Sequence, residues 1–182
     1  MKTTLLFILM AITGLMNAAE LPKVLLYGNV MDREIVDIIV PKQEEAPDKF
    51  VDQVTVTAIC KGDTISSKVN RATGFYSLVL ESGKKYNVSF KKDGYITKNF
   101  VIDATDVEYT DKKKSFKMFT DVTLFQTPDK GDFKSFEDRP MAKCTYVSEK
   151  ERMEWDMDFA ILAFNHFMSS AKQMSTALNS ND

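Results

Sequence analysis

Side chains able to do chemistry are few and scattered in this chain of 182 residues. His166 is its single histidine. A Ser-His-Asp triad requires a base held beside a nucleophile and oriented by an acid, and no serine sits on a recognisable nucleophile turn. Metal ligation would require donors one helical turn away, where Leu162, Asn165 and Ser170 stand instead. His166 is therefore expected to be a packed or partly exposed helix position. Asp129, Asp132, Glu137 and Asp138 form an oxygen-rich stretch, but the regular D-x-[DN]-x-[DN]-G calcium loop is absent, and Lys130 and Lys134 supply opposing charge. A solvated turn is the expectation there. Asp156 and Asp158 are two residues apart, a spacing that does not share a helix face, so they form no general acid–base pair. They suit the positive end of a helix dipole. These residues predict no catalytic site, no metal and no cofactor, and the chain is not expected to be an enzyme.

Cys60 and Cys144 are the only cysteines and form no CxxC pair. Either they bridge, as an oxidising compartment allows, or they are two small buried hydrophobes. Their spacing says nothing of the distance between their Cα atoms. The buried reading is preferred, with Cys60 and Cys144 kept as the candidate disulfide.

Residues 1–19 read as a signal peptide. Lys2 gives a positive start, residues 5–16 are apolar apart from Thr13 and Gly14, and Asn17-Ala18-Ala19 offers small residues for cleavage. About twelve apolar residues fall short of the roughly twenty that cross a bilayer. Cleavage after Ala19 leaves 23 basic against 26 acidic residues, without a concentrated positive face. Nucleic acid and anionic membrane surfaces are poor partners for such a chain. The run Lys112-Lys113-Lys114 is expected to be a solvated loop.

The elements that would position any site are strands. Gly62, Gly74, Gly83, Gly94 and Gly131 separate apolar runs, mostly at intervals of about ten residues, the rhythm of short strands joined by turns. Val54, Val56, Ala58 and Cys60 alternate with Thr55 and Thr57. Tyr76, Leu78 and Leu80 alternate with Phe75, Ser77 and Val79, and Tyr86, Val88 and Phe90 with Asn87 and Ser89. Period two with one apolar face predicts half-buried antiparallel strands. Adding residues 23–30, 65–69, 95–102 and 115–125 makes about seven. Residues 31–52 interrupt the pattern as an insertion rich in Pro and Glu.

Residues 127–147 read as a connector bracketed by Pro128 and Pro140, with one further short strand possible at 141–147. Helical periodicity then takes over. Met153, Met157, Ala160, Phe164, Phe167, Ala171, Met174 and Leu178 recur every three or four residues, beside a second stripe of Trp155, Phe159, Leu162 and His166. Ser148 with Glu151 has the form of a capping box, so the helix is predicted over 148–178, with 179–182 a disordered tail. Phe75, Phe119 and Phe125 fall opposite the core-facing alternation. The helix is expected to cover them, with Trp155, Phe159, Phe164 and Phe167 as the candidate partner surface.

Several segments taken in order resemble the carboxypeptidase regulatory-like domain. They are Gly28-Asn29-Val30, Val54-Thr55-Val56, Thr73-Gly74-Phe75-Tyr76-Ser77-Leu78, Tyr86-Asn87-Val88 and Lys92-Asp93-Gly94-Tyr95. Pro140-Met141-Ala142-Lys143 with Tyr146 is similar to the tail of uncharacterised secreted bacterial proteins that carry this module. The resemblance implies an all-β, seven-stranded Greek-key sandwich of the prealbumin/transthyretin-like type over 20–126, followed by the C-terminal amphipathic helix. It also implies an accessory role without catalysis, and it carries over no functional residue. Two departures stand beside it: the insertion at 31–52 is longer than usual, and an enzyme domain after the helix is not expected.

The expectation is thus an exported module, periplasmic or extracellular, serving the bacterial cell envelope by binding a protein partner. That partner is an envelope protein or a second copy met through the C-terminal helix. The alternative is an accessory domain for a small ligand or carbohydrate, using exposed aromatics.

Overall fold

The computed structural model describes residues 21–33, 49–69, 72–107, 115–127 and 133–179. The signal segment, the body of the insertion, the run Lys112 to Lys114, Asp129, Asp132 and Gly131 lie outside the described residues.

The chain is mostly β, in two mixed sheets, with one long helix at the C-terminal end. The first sheet is built around β1 (Lys23–Arg33). Its inward residues Val24, Leu26 and Val30 are fully buried, as the alternation requires. On one side β1 pairs antiparallel with β5 (Phe75–Glu81) and then with β2 (Lys49–Phe50). On the other it pairs in parallel with β8 (Ser115–Phe119) and then with β9 (Val122–Phe125). The single strand expected over 115–125 is two strands because the chain steps inward at Thr120. That step lies over Gly28, where a β-carbon would stand 2.0 Å from the Thr120 carbonyl oxygen. Only glycine leaves room. The Tyr76 hydroxyl reaches across Gly28 and donates to the same oxygen at 2.8 Å. The Asp121 carboxylate accepts from the Asn29 backbone N–H at 2.8 Å, standing in for a ladder partner at the break.

The second sheet runs β11-β10-β7-β6-β3-β4. Its strands are β3 (Thr55–Cys60), β4 (Asp63–Lys68), β6 (Lys85–Lys91), β7 (Lys98–Asp103), β10 (Pro140–Val147) and β11 (Arg152–Trp155). β3 and β4 turn through Lys61 and Gly62, both at positive φ (47° and 96°), which suits the twist of a two-residue hairpin. The inner faces of the two sheets share one core. Tyr76 of the first sheet meets Phe90 of the second edge-to-face at 4.9 Å, and Phe90 continues to Phe100 and Phe100 to Trp155.

Eleven strands stand among the described residues, against the seven read from the sequence. β1 and β3 to β9 fall on segments where the sequence predicted strands, residues 115–125 being divided between β8 and β9. Residues 140–147, read from the sequence as the end of a connector with a further short strand at 141–147, form β10 and lie parallel against β7 inside the sheet. The helix does not begin at Ser148. Ser148–Lys150 is a single 3₁₀ turn, Glu151 takes the left-handed conformation (φ 48°), and β11 then pairs back onto β10. Met153 and Trp155 therefore pack against the main core from a strand. The long helix, α2, spans Met157–Asn179, and the four-residue α1 spans Lys134–Glu137. No described helix is long and apolar enough to cross a membrane.

Candidate interaction surface

The start of α2 is fixed by Asp156. Its carboxylate accepts from the Phe159 N–H at 2.9 Å, and its carbonyl accepts from the Ala160 N–H at 3.0 Å, the pattern of an N-cap. Lys143 of β10 places its ammonium 4.0 Å from the centre of the Phe159 ring. One turn pair later the helix is seated by Phe167 and Ala171, both buried in a second apolar cluster with Ile96, Phe125, Phe133 and Phe136. Phe167 stacks on Phe125 at 5.2 Å and meets Phe136 edge-to-face at 5.3 Å. This seat lies at the end of β9, beside β10 and α1, and not on the outer face of the first sheet. The expectation that α2 covers Phe75 and Phe119 is corrected accordingly. Only Phe125 lies beneath the helix.

The four aromatics named from the sequence separate. Phe167 is interior. Trp155 is half-buried against Phe100. Phe159 is half-buried under Lys143, and Phe164 is 41% exposed. Beside Phe164 the structure exposes Met157 (62%), Ile161 (53%) and Leu162 (70%). Positions 157, 161 and 164 share one helix face at i, i+4 and i+7, while Leu162 projects about 100° further round the helix from Ile161. Ile161 belonged to neither stripe read from the sequence. The signal for it was the width of the apolar arc, broader than one seat can bury.

His166 is exposed and sits edge-on to Phe136 at 5.5 Å. Glu137 accepts from Thr97 at 3.5 Å through its carboxylate, and its backbone carbonyl accepts from the Asn99 side chain. Asp138 is exposed. The open groove lined by Thr105, Asp106, Val107, Tyr146 and Ser148 brings one carboxylate beside one phenol and two hydroxyls. Among the described residues, no three His, Cys, Asp or Glu side chains gather as metal ligands would.

Cys60 and Cys144 are free and buried. Ile59 stands opposite Asn87, which places Cys60 beside Tyr86. Tyr86 stands opposite Ile102, and Ile102 opposite Cys144. The two cysteines thus belong to one row of the sheet with two strands between them. At about 4.8 Å per strand that row spans roughly 14 Å, twice the reach of a disulfide. The candidate bridge is excluded in this fold, and burial pushes the Cys144 thiol up to about 12.

Lys98 is the one chemical feature the sequence did not signal. It occupies an inward position at the start of β7, its ammonium 4.3 Å from the centre of the Phe125 ring, and burial lowers its pKa to about 8. The ring face favours the charged form, but loss of water outweighs it.

The outer face of the first sheet carries a second apolar group. Tyr27 lies 5.6 Å from Phe119 and 6.4 Å from Phe75, ring centre to ring centre, and the two phenylalanines are 58% and 43% exposed.

No family model and no curated protein matches this chain.

Proposed function

We propose that this chain is an exported, non-enzymatic module of a bacterial cell envelope that binds a protein partner through the exposed face of α2. The fold plan in this reading is the seven-stranded Greek-key sandwich of the prealbumin type. β1 and β3 to β8 supply its strands, and β2, β9, β10 and β11 are additions. One observation carries the function: Met157, Ile161 and Phe164 are exposed on one face of a helix that is capped by Asp156 and seated by Phe167. A helix held at both places presents its apolar residues in fixed positions, so a partner that buries them spends little on ordering them. Residues at i, i+4 and i+7 are the anchors by which a groove accepts a helix. Burial of these three side chains contributes several kcal/mol at about 25 cal/mol per Å².

The test is capture from envelope extract with the tagged chain, alongside the Ile161→Asp/Leu162→Asp variant at equal folded concentration. A partner retained by the parent, lost by the variant, and rebound after purification supports the reading. A partner held equally by both proteins, or none by either, sinks it.

The second reading, an accessory domain for a carbohydrate or other small ligand, rests on the exposed rings of Tyr27, Phe75 and Phe119. Flat apolar rings at a solvated surface can stack on a sugar face. A rise in melting temperature with glycans that disappears in Phe119→Ala supports it, and no shift with any glycan removes it.

A further inference from the structure

We propose that β5 is an edge through which two copies of this chain join, strand against strand, around a two-fold axis at Ser77. This surface is separate from the α2 face and does not depend on the function proposed for it.

The backbone directions come from the ladder. The Val30 N–H donates to the Gly74 carbonyl at 2.9 Å, and the Ser82 N–H donates to the Pro22 carbonyl at 3.0 Å. Even-numbered residues along this stretch therefore turn their backbone groups towards β1, and Phe75, Ser77, Val79 and Glu81 turn theirs away. No other strand is hydrogen-bonded to that side among the described residues; β4, the edge strand of the second sheet, lies near β5 without pairing to it. The two ends of the edge are already occupied. The Phe75 N–H donates to the Thr73 hydroxyl at 3.3 Å. At the other end the Glu81 N–H donates to the Tyr86 hydroxyl at 3.1 Å, and that hydroxyl donates to the Glu81 carbonyl at 3.2 Å. The N–H and C=O groups of Ser77 and Val79 between them have no partner among the described residues.

Edges are usually protected by a proline, a bulge, a lysine or a short length. β5 is seven residues long, FYSLVLE, and has neither proline nor lysine nor a break in register. Its outward side chains Phe75 and Val79 are 43% and 50% exposed on the same face.

These features select a second copy as the partner, because the strand is complementary to itself in one register. With Ser77 opposite Ser77 of the second copy, Phe75 lies opposite Val79 of that copy, and the reverse contact repeats it. The Ser77 pair exchanges two backbone bonds. Each Val79 N–H meets the Phe75 carbonyl across the axis. An aromatic facing a β-branched residue is a favourable cross-strand pair, and no like charges face each other. The neighbouring register, centred on Leu78, would pair the backbone of Ser77 with that of Val79 but set the Phe75 ring against the Glu81 carboxylate, losing the Phe75–Val79 side-chain pair. The joined sheet is an isologous dimer, closed by its own symmetry.

The test measures mass by sedimentation equilibrium for the parent, Phe75→Lys, Val79→Glu, the double variant Phe75→Lys/Val79→Glu, and Ile161→Asp. The parent and Ile161→Asp are expected to dimerise equally. Each single β5 variant is expected to weaken the dimer about tenfold or more. The double variant is expected to recover it, because Lys at 75 then faces Glu at 79 of the other copy. A parent that stays monomeric up to about 1 mM overturns the proposal. So does a dimer lost in Ile161→Asp but kept in Phe75→Lys, or a double variant no better than the singles.

Discussion

The Thr120 carbonyl lies over Gly28 so closely that a β-carbon there would stand 2.0 Å from its oxygen, and the Tyr76 hydroxyl closes the arrangement from the neighbouring strand at 2.8 Å. This contact lets one long strand, β1, support two parallel partners with a step between them. Gly28→Ala is expected to destabilise the fold by about 3 kcal/mol or more, since backbone and not a flexible side chain must move. Tyr76→Phe is expected to cost about 1–3 kcal/mol by leaving the carbonyl without its donor. Urea unfolding of both variants measures this. A Gly28→Ala variant as stable as the parent would show that the Thr120 step is not a fixed feature.

Phe167 holds α2 to the rest of the molecule. Phe167→Ala removes the ring that stacks on Phe125 and is expected to cost about 3–5 kcal/mol. Because the second cluster is separate from the main core, amide exchange is expected to rise in α2 and α1 well before it rises in β3, β6 or β7. Uniform loss of protection across the molecule would contradict this separation.

Lys98 makes stability depend on alkaline pH. Its folded pKa, about 8, lies below that of an unfolded lysine near 10.4. Between these values the unfolded chain binds the proton more readily, so stability rises with pH across the window from about 8 to about 10.4. Below it both states are protonated, and the full cost of burying the charge is present. Lys98→Met is expected to stabilise the fold at pH 7 by on the order of 2 kcal/mol, with the gain over the parent shrinking as pH approaches 10. Chemical unfolding of both proteins at several pH values tests it. A gain that does not change with pH would mean that packing, not charge, is responsible.

The thiols are expected to be silent until the molecule unfolds. Cys144 has its thiol pushed up to about 12 by burial, and Cys60 lies in the same row with two strands between them. Intact mass under non-reducing conditions should show two free thiols, maleimide should label both only in denaturant, and the melting temperature should not respond to reductant. A reductant-sensitive melt would contradict the strand order between them.

Much of the β architecture was legible. Tyr76, Leu78 and Leu80, and Tyr86, Val88 and Phe90, alternate in sequence because a sheet has two faces, and each of these six residues is buried. The positive φ at Gly74 and Gly94 follows from turns that other residues enter only at a cost. Residues 148–155 were misread because Met153 and Trp155 continue a helical spacing by coincidence. Two apolar residues two apart fit a strand as well as they fit the edge of a wide helical stripe. What decided was the partner, since β10 offers an edge onto which β11 pairs.

The candidate surface was legible in composition and not in orientation. An apolar arc wider than one seat marks a helix with a surplus face, but which of Phe164 and Phe167 turns inward depends on where Phe125, Phe133 and Phe136 gather. Alternation and turn chemistry are local, so the amino-acid order alone determined most of the strands and their inward residues. The long-range choices belonged to the tertiary structure: the parallel seating of β10 on β7, the separation of Cys60 from Cys144, the open side of β5 and the outward face of α2. Each depends on which distant segments compete for the same edge or apolar surface, a question that no local window contains.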